Sequence, residues 1–195
     1  MKIISRFFIV AGAMFSCATF AGPFGLEMGM TIDQIDKNAK QISSGKFKTD
    51  IVPKPHSSFE AYVLQFSSNT GLCYIKAVGK TFSVNSYGAE LESVFTGLKD
   101  KLDTVYGKSK LLDALMPKSI WNEPNDWMMG LYKKERLLAA EWNTGTGAKL
   151  PEHLSTIVMM AHAMGTDKGW VSVDYKFNNH HSCEKEISAQ EDDSL

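Results

Sequence analysis

Three features of the chain predict an α+β fold, an antiparallel β-sheet with helices packed on one face. Residues 88–106 carry one long apolar stripe at helical spacing. Residues 59–66 and 72–78 are two apolar, β-forming runs separated by a short turn. Val171, Val173, Tyr175 and Phe177 alternate with Ser172, Asp174 and Lys176, the period of a half-buried strand. The element order is helix, about three strands, helices, about three strands. It also fits two helix-plus-three-strand units, although no residue-level repeat accompanies it.

The elements follow in chain order. Lys2 and Arg6 are the only charges before Glu27, an apolar run fills 7–20, and Thr19, Phe20 and Ala21 form a small-x-small cleavage pattern. That order predicts a secretory signal peptide over 1–21, too short and too interrupted for a membrane span. The expected location is therefore periplasmic or secreted. Cys17 offers a lipid-anchored alternative, which Phe15 disfavours by standing where a small residue is needed. A single α+β domain is expected over 22–183, with an acidic, disordered tail over 184–195.

Thr31 is a good N-cap and Ile32, Ile35 and Ala39 recur at helical spacing, so a helix is predicted up to the break at Ser43, Ser44 and Gly45. Pro53 and Pro55 make 51–55 an edge strand or a loop. Residues 67–71 form the turn between the two strands of the first hairpin. In the helix over 88–106, Leu91, Val94, Phe95, Leu98, Leu102, Val105 and Tyr106 share one face, with Glu90 and Glu92 in the first turn and Gly107 as C-cap. Residues 111–116 and 126–135 are predicted as short helices around a loop containing Pro117 and Pro124. Residues 136–142 form a strand. Residues 156–164 are apolar on both faces, and the β-branched Ile157 and Val158 favour a central strand over a buried helix.

Charge and cysteine content narrow the function. Without 1–21 the chain holds 19 basic and 22 acidic residues, a net charge of −3 concentrated in the tail. No basic stripe supports nucleic-acid binding. Cys73 and Cys183 are the two cysteines beyond the signal, and in an oxidising compartment they predict a disulfide. The rival is a metal site built on His180, His181 and Cys183, for which no second ligand cluster exists in the sequence.

No catalytic, cofactor or metal motif is complete. Gly107, Lys108 and Ser109 resemble the end of a phosphate loop, but Leu102 stands where its first glycine belongs and a helix ends there. Glu123 and Asp126, beside Trp121 and Trp127, could serve a glycan hydrolase; as ordinary loop residues, Asp126 caps the next helix and Glu123 is solvated. His162 in its apolar run is expected to be a hydrogen-bonded core histidine, and His56 and His153 to be exposed. Trp121, Trp127, Met128 and Tyr132 are a candidate partner surface, because aromatics and methionine are enriched at interfaces; such residues also fill cores.

Phe24, Gly25, Leu26, Glu27, Met28, Gly29, Met30 and Thr31, followed by a short helix, resemble the opening of small envelope proteins of the BamE and β-lactamase-inhibitor-like class. The rest of the chain resembles secreted proteobacterial proteins. The first resemblance implies a non-enzymatic periplasmic domain with helices on an antiparallel sheet. It departs where that class has a Gly-x-Pro turn and this chain has Ser43, Ser44, Gly45 and Lys46, and it carries over no site residues. The reading is a soluble, non-enzymatic, protein-binding periplasmic factor, an inhibitor or immunity-like protein, with no cofactor and a periplasmic protein as partner. The alternatives are an envelope assembly or structural accessory and, less well supported, a glycan hydrolase.

Overall fold

The computed structural model describes residues 22–193; the predicted signal peptide and Cys17 lie outside the described residues. The fold is α+β: a nine-stranded sheet with four α-helices. In chain order these are α1 (Ile32–Ile35), β1 (Lys40–Ser43), β2 (Lys46–Thr49), β3 (Phe59–Ser67), β4 (Gly71–Gly79), β5 (Phe82–Ser83), α2 (Ala89–Tyr106), β6 (Lys110–Leu115), α3 (Trp127–Tyr132), β7 (Arg136–Asn143), β8 (Leu154–Ala163), β9 (Lys168–Phe177) and α4 (His180–Asp192). The strands run in the order β1-β2-β3-β4-β9-β8-β7-β6, all antiparallel, and β5 adds a short pairing to β9.

This order contains a near-symmetry. A helix followed by a four-stranded meander (α1, β1 to β4) is matched by a second helix and meander (α2, β6 to β9). Their last strands meet at the centre, with Lys76 opposite Asp174. The repeating unit therefore has four strands rather than three. The meander strands not expected are β1 and β6, both predicted as helix, and β2; residues 51–55, read as an edge strand or a loop, form the loop after β2.

Both helix-to-strand differences have the same cause. Gly45, at φ +63°, turns the chain so that β1 pairs with β2, and β2 in turn extends β3. Only Ile32–Ile35 stays helical, with the Thr31 N–H donating to Gln34 Oε1 at 2.9 Å. Residues 110–115 have good helix formers, yet all six pair in register with β7, from Lys110 opposite Glu141 to Leu115 opposite Arg136. Sheet pairing overrides local propensity. The helix expected over 126–135 is confined to Trp127–Tyr132, after a 3₁₀ turn over Pro124–Asp126.

The main core lies between the sheet and α2 and α3. Leu91, Phe95 and Leu98 of α2 and Trp127, Met128 and Leu131 of α3 pack on Ile75, Val173, Tyr175, Ile157, Met159 and Trp142. Val94 and Val105, at the rim of the predicted stripe, are exposed. Phe24 closes one end against Phe59, Tyr62 and Tyr175, with ring centroids 4.8–5.6 Å apart.

The helices do not all share one face. α4 packs on β3 and β4 from the opposite side, joined to the sheet by the Cys73–Cys183 disulfide (Cα–Cα 6.3 Å). This overturns the expectation of a disordered tail as far as Asp192. Cys183 and Ile187 are buried with Cys73 in a small second cluster, and that burial orders the segment despite its acidic charge. The bond also leaves no free thiolate at Cys183 for the rival metal site. Among the described residues no helix is long and apolar enough to cross a membrane.

Candidate functional site

Side chains alternate along each strand, so Tyr74, Lys76 and Val78 point away from the main core, as do Ser172 and Asp174. Register carries these residues into rows. One row runs Ala61, Val78, Ser172, Met160, Ala139, Leu112 from β3 to β6. The next contains Trp170, His162, Leu137 and Ala114, of which Trp170 and His162 face each other directly. A third runs Val63, Lys76, Asp174, Val158, Glu141, Lys110. α4 packs over the β3–β4 end of this face, whereas α2 and α3 pack on the other side of the sheet.

Several polar groups on the open face meet one another. Lys76 Nζ lies 3.4 Å from both carboxylate oxygens of Asp174. Burial pushes the Asp174 carboxyl above the usual range, and Lys76 opposes that shift. Burial, and then the Asp174 charge, push the Tyr74 phenol up. Tyr74, Asp174 and Lys176 line a cavity of about 390 Å³ with Lys46, His180 and Glu184. His180 is lowered by burial, against the pull of Glu184 3.5 Å away.

His162 and Ser172 are 2.9 Å apart, Nε2 to Oγ, and the imidazole stacks on Trp170 at 3.9 Å between centroids. A serine–histidine pair invites comparison with a nucleophile and its base. The surroundings oppose that role. Ser172 is fully buried, and burial followed by the Lys76 charge lowers His162 to about 4. A general base needs its imidazolium stabilised, and here a cation destabilises it. The hydrogen bond expected for His162 is present, but the ring is half-buried on the face opposite the main core rather than inside it.

That lowered value gives a testable pH dependence. Folding favours the neutral imidazole, so the unfolded chain takes up a proton near its ordinary 6.5 and the folded chain only near 4. Stability is complete above pH 6.5 and falls as the pH drops through this window, by on the order of 2 kcal/mol once partial exposure is allowed for. His162→Gln should reduce that slope in urea unfolding measured across the window, leaving the part that His180 contributes. An unchanged slope would count against burial of the neutral ring.

The predicted partner surface is dispersed by the fold. Trp127 and Met128 belong to the main core. Gly88, at φ +74°, lies against the Trp127 ring so closely that a Cβ there would overlap it. Trp121 is half-buried, and only Tyr132 is exposed, at 46 %. Aromatic density in a sequence does not separate core from surface; here the helix-to-sheet packing claimed it for the core. Glu123 is exposed and Asp126 half-buried, at either end of a turn closed by Asp126 N–H to the Glu123 carbonyl at 2.9 Å. Asp126 occupies the N-cap position of α3, but its side chain makes no capping bond. His56 is exposed as expected, while His153 is half-buried with its ring 5.9 Å from that of Phe177.

The residues that sequence reading missed are Val78, Met160, Trp170 and Leu112 on the open face. A signal existed. Residues 156–164 read as apolar on both faces, whereas an antiparallel strand covered on one side only should alternate with polar residues. No family model matches the chain, and no curated protein or solved structure matches it.

Proposed function

We propose that the mature chain acts in the periplasm as a non-enzymatic binding protein, an inhibitor or immunity-like factor, and that it holds a protein partner against the open face of its sheet. The observation that carries this reading is the apolar character of that face. Val63, Val78, Val158, Met160, Leu137 and Trp170 stand half-buried where a solvated sheet face would carry polar side chains. At its centre Lys76 contacts Asp174, and at one end Lys110 stands opposite Glu141, while the exposed Lys46, Lys48 and Lys176 add positive charge toward the β2 end and beside Asp174. The apolar patch over β8, β9 and β7 is thus flanked by lysines, and the partner it fits presents an apolar and aromatic surface with acidic groups at its margin.

The test uses tagged mature chain as bait in periplasmic extract. Met160→Lys places a charge on the open face without entering the main core, and Ile51→Lys, at a position exposed outside the sheet, serves as control. The expected result is one protein retained by wild type and Ile51→Lys, and weakened about tenfold or more by Met160→Lys. Retention that is indifferent to Met160→Lys, with both variants folded by circular dichroism, would overturn the reading.

A further inference from the structure

The two edges of the sheet are built differently. β1 has four residues, breaks register between Gln41 and Ser43, and carries Lys40 opposite Lys48 of its neighbour β2. Short length, a bulge and lysines are the devices that keep an edge from pairing with another chain. β6 is longer and unbroken, and its one lysine, Lys110, stands at its first position. It pairs with β7 without a register shift, contains no proline, and is exposed on both faces, Leu111 to 53 % and Leu112 to 44 %. Met116, 57 % exposed, and Ile120, 74 % exposed, continue the apolar edge beyond the strand.

We infer that β6 is a dimer contact, its free edge pairing antiparallel with β6 of a second copy of this chain. The sequence of the strand selects that occupant. A two-fold axis perpendicular to the sheet keeps each copy's helices on the same side, so facing residues must be of like parity. The register centred on Leu112 meets this condition. It sets Leu112 on Leu112 of the second copy, Leu111 on Asp113 and Lys110 on Ala114, with no like charges opposed. Moving the centre to Asp113 opposes two carboxylates, and moving it to Leu111 shortens the ladder. Asp113 is neutralised within its own copy by Arg136, Nη1 to Oδ1 2.6 Å. On the helix side, a groove of about 290 Å³ lined by Phe95, Leu111, Asp113 and Leu138 leaves room for the second copy's side chains. The junction repeats the one at the centre of the sheet, where β4 and β9 join two meanders antiparallel.

This contact lies at the β6 edge, where Leu112 also borders the open face, and the experiment separates the two by reading self-association of the chain alone. Sedimentation equilibrium of the mature chain from micromolar to submillimolar concentration should give a monomer–dimer equilibrium. Leu112→Lys should weaken it at least tenfold, and Met160→Lys should leave it unchanged. Leu112→Cys should form an intermolecular disulfide on mild oxidation, because directly facing antiparallel residues lie about 4.5–5.5 Å apart. Gln41→Cys on β1 should not. A monomer at every concentration, a dimer indifferent to Leu112→Lys, or equal cross-linking at both positions would overturn the inference. Cross-linking of Leu112→Cys to a different protein, with the chain itself monomeric, would assign the edge to another occupant.

Discussion

Reduction of the Cys73–Cys183 bond should lower the stability of the protein by about 2–5 kcal/mol, the upper end being the chain-entropy value for a loop of this length. The cysteines are 110 residues apart, so the oxidised unfolded chain is a large closed loop whose freedom returns on reduction. The loss should be felt first at α4. Its buried residues form a cluster of their own, Cys183 and Ile187 with Cys73, separate from the main core. Further ties of α4 include two exposed hydrogen bonds, the Asn69 N–H to Glu186 Oε2 at 3.3 Å and Gln190 Nε2 to Ser68 Oγ at 3.1 Å, and the His180 ring 5.7 Å from that of Tyr74. Such bonds contribute about 1 kcal/mol each. In the reduced protein, or in a Cys73→Ser, Cys183→Ser double variant, amide exchange should therefore accelerate over 180–192 before it does so over β4 or β9. Equal urea midpoints with and without reductant, together with unchanged exchange in α4, would contradict this account.

The same helix marks a limit of what the sequence makes legible. The strands over 59–66, 72–78, 136–142, 156–164 and 171–177 could be read because each carries its own period or β-branched composition. The long helix could be read because Leu91, Phe95 and Leu98 repeat over many turns. The missing elements owe their form to partners. β6 is a strand because β7 lies beside it, and α4 is a helix because Cys183 and Ile187 meet Cys73 across 110 residues. The cysteine pairing was legible from compartment logic, but the ordering it imposes on an acidic segment was not. The site followed the same rule: the Trp127 region looked like a surface because it is aromatic, whereas the open face is defined by register, which sets Met160 beside Ser172 and Ala139.

Replacing Trp142 should produce the largest single-residue loss, about 3–5 kcal/mol for Trp142→Ala. Trp142 is fully buried, and its indole is also a polar tie. Nε1–H donates to Asp103 Oδ1 and to the Gly107 carbonyl, 3.0 Å in each case. Asp103 in turn accepts from Lys99 Nζ at 2.7 Å and from the Ser109 N–H at 3.1 Å. Burial raises the Asp103 carboxyl, but Lys99 and Ser109 outweigh it and hold the group below its ordinary value, so the indole N–H faces a carboxylate. The network ties the last turn of α2 to β7 just where the chain turns into β6. Trp142→Phe separates the two contributions. It keeps most of the apolar volume and removes the donor, so its expected cost is smaller, about 1–3 kcal/mol. If the indole acts through Asp103, Trp142→Phe and Asp103→Asn should be non-additive by about 0.5 kcal/mol or more in a double-mutant cycle of urea unfolding. Additive losses would mean that Trp142 acts through packing and the Gly107 carbonyl rather than through Asp103. A Trp142→Ala cost below about 1 kcal/mol would mean that the α2–β7 junction is not where the main core is most sensitive. In a domain whose total stability is of the order of 10 kcal/mol, a loss of 3–5 kcal/mol should also register as a lower thermal midpoint, and β6 should exchange earlier than β8 because its anchor to α2 has gone.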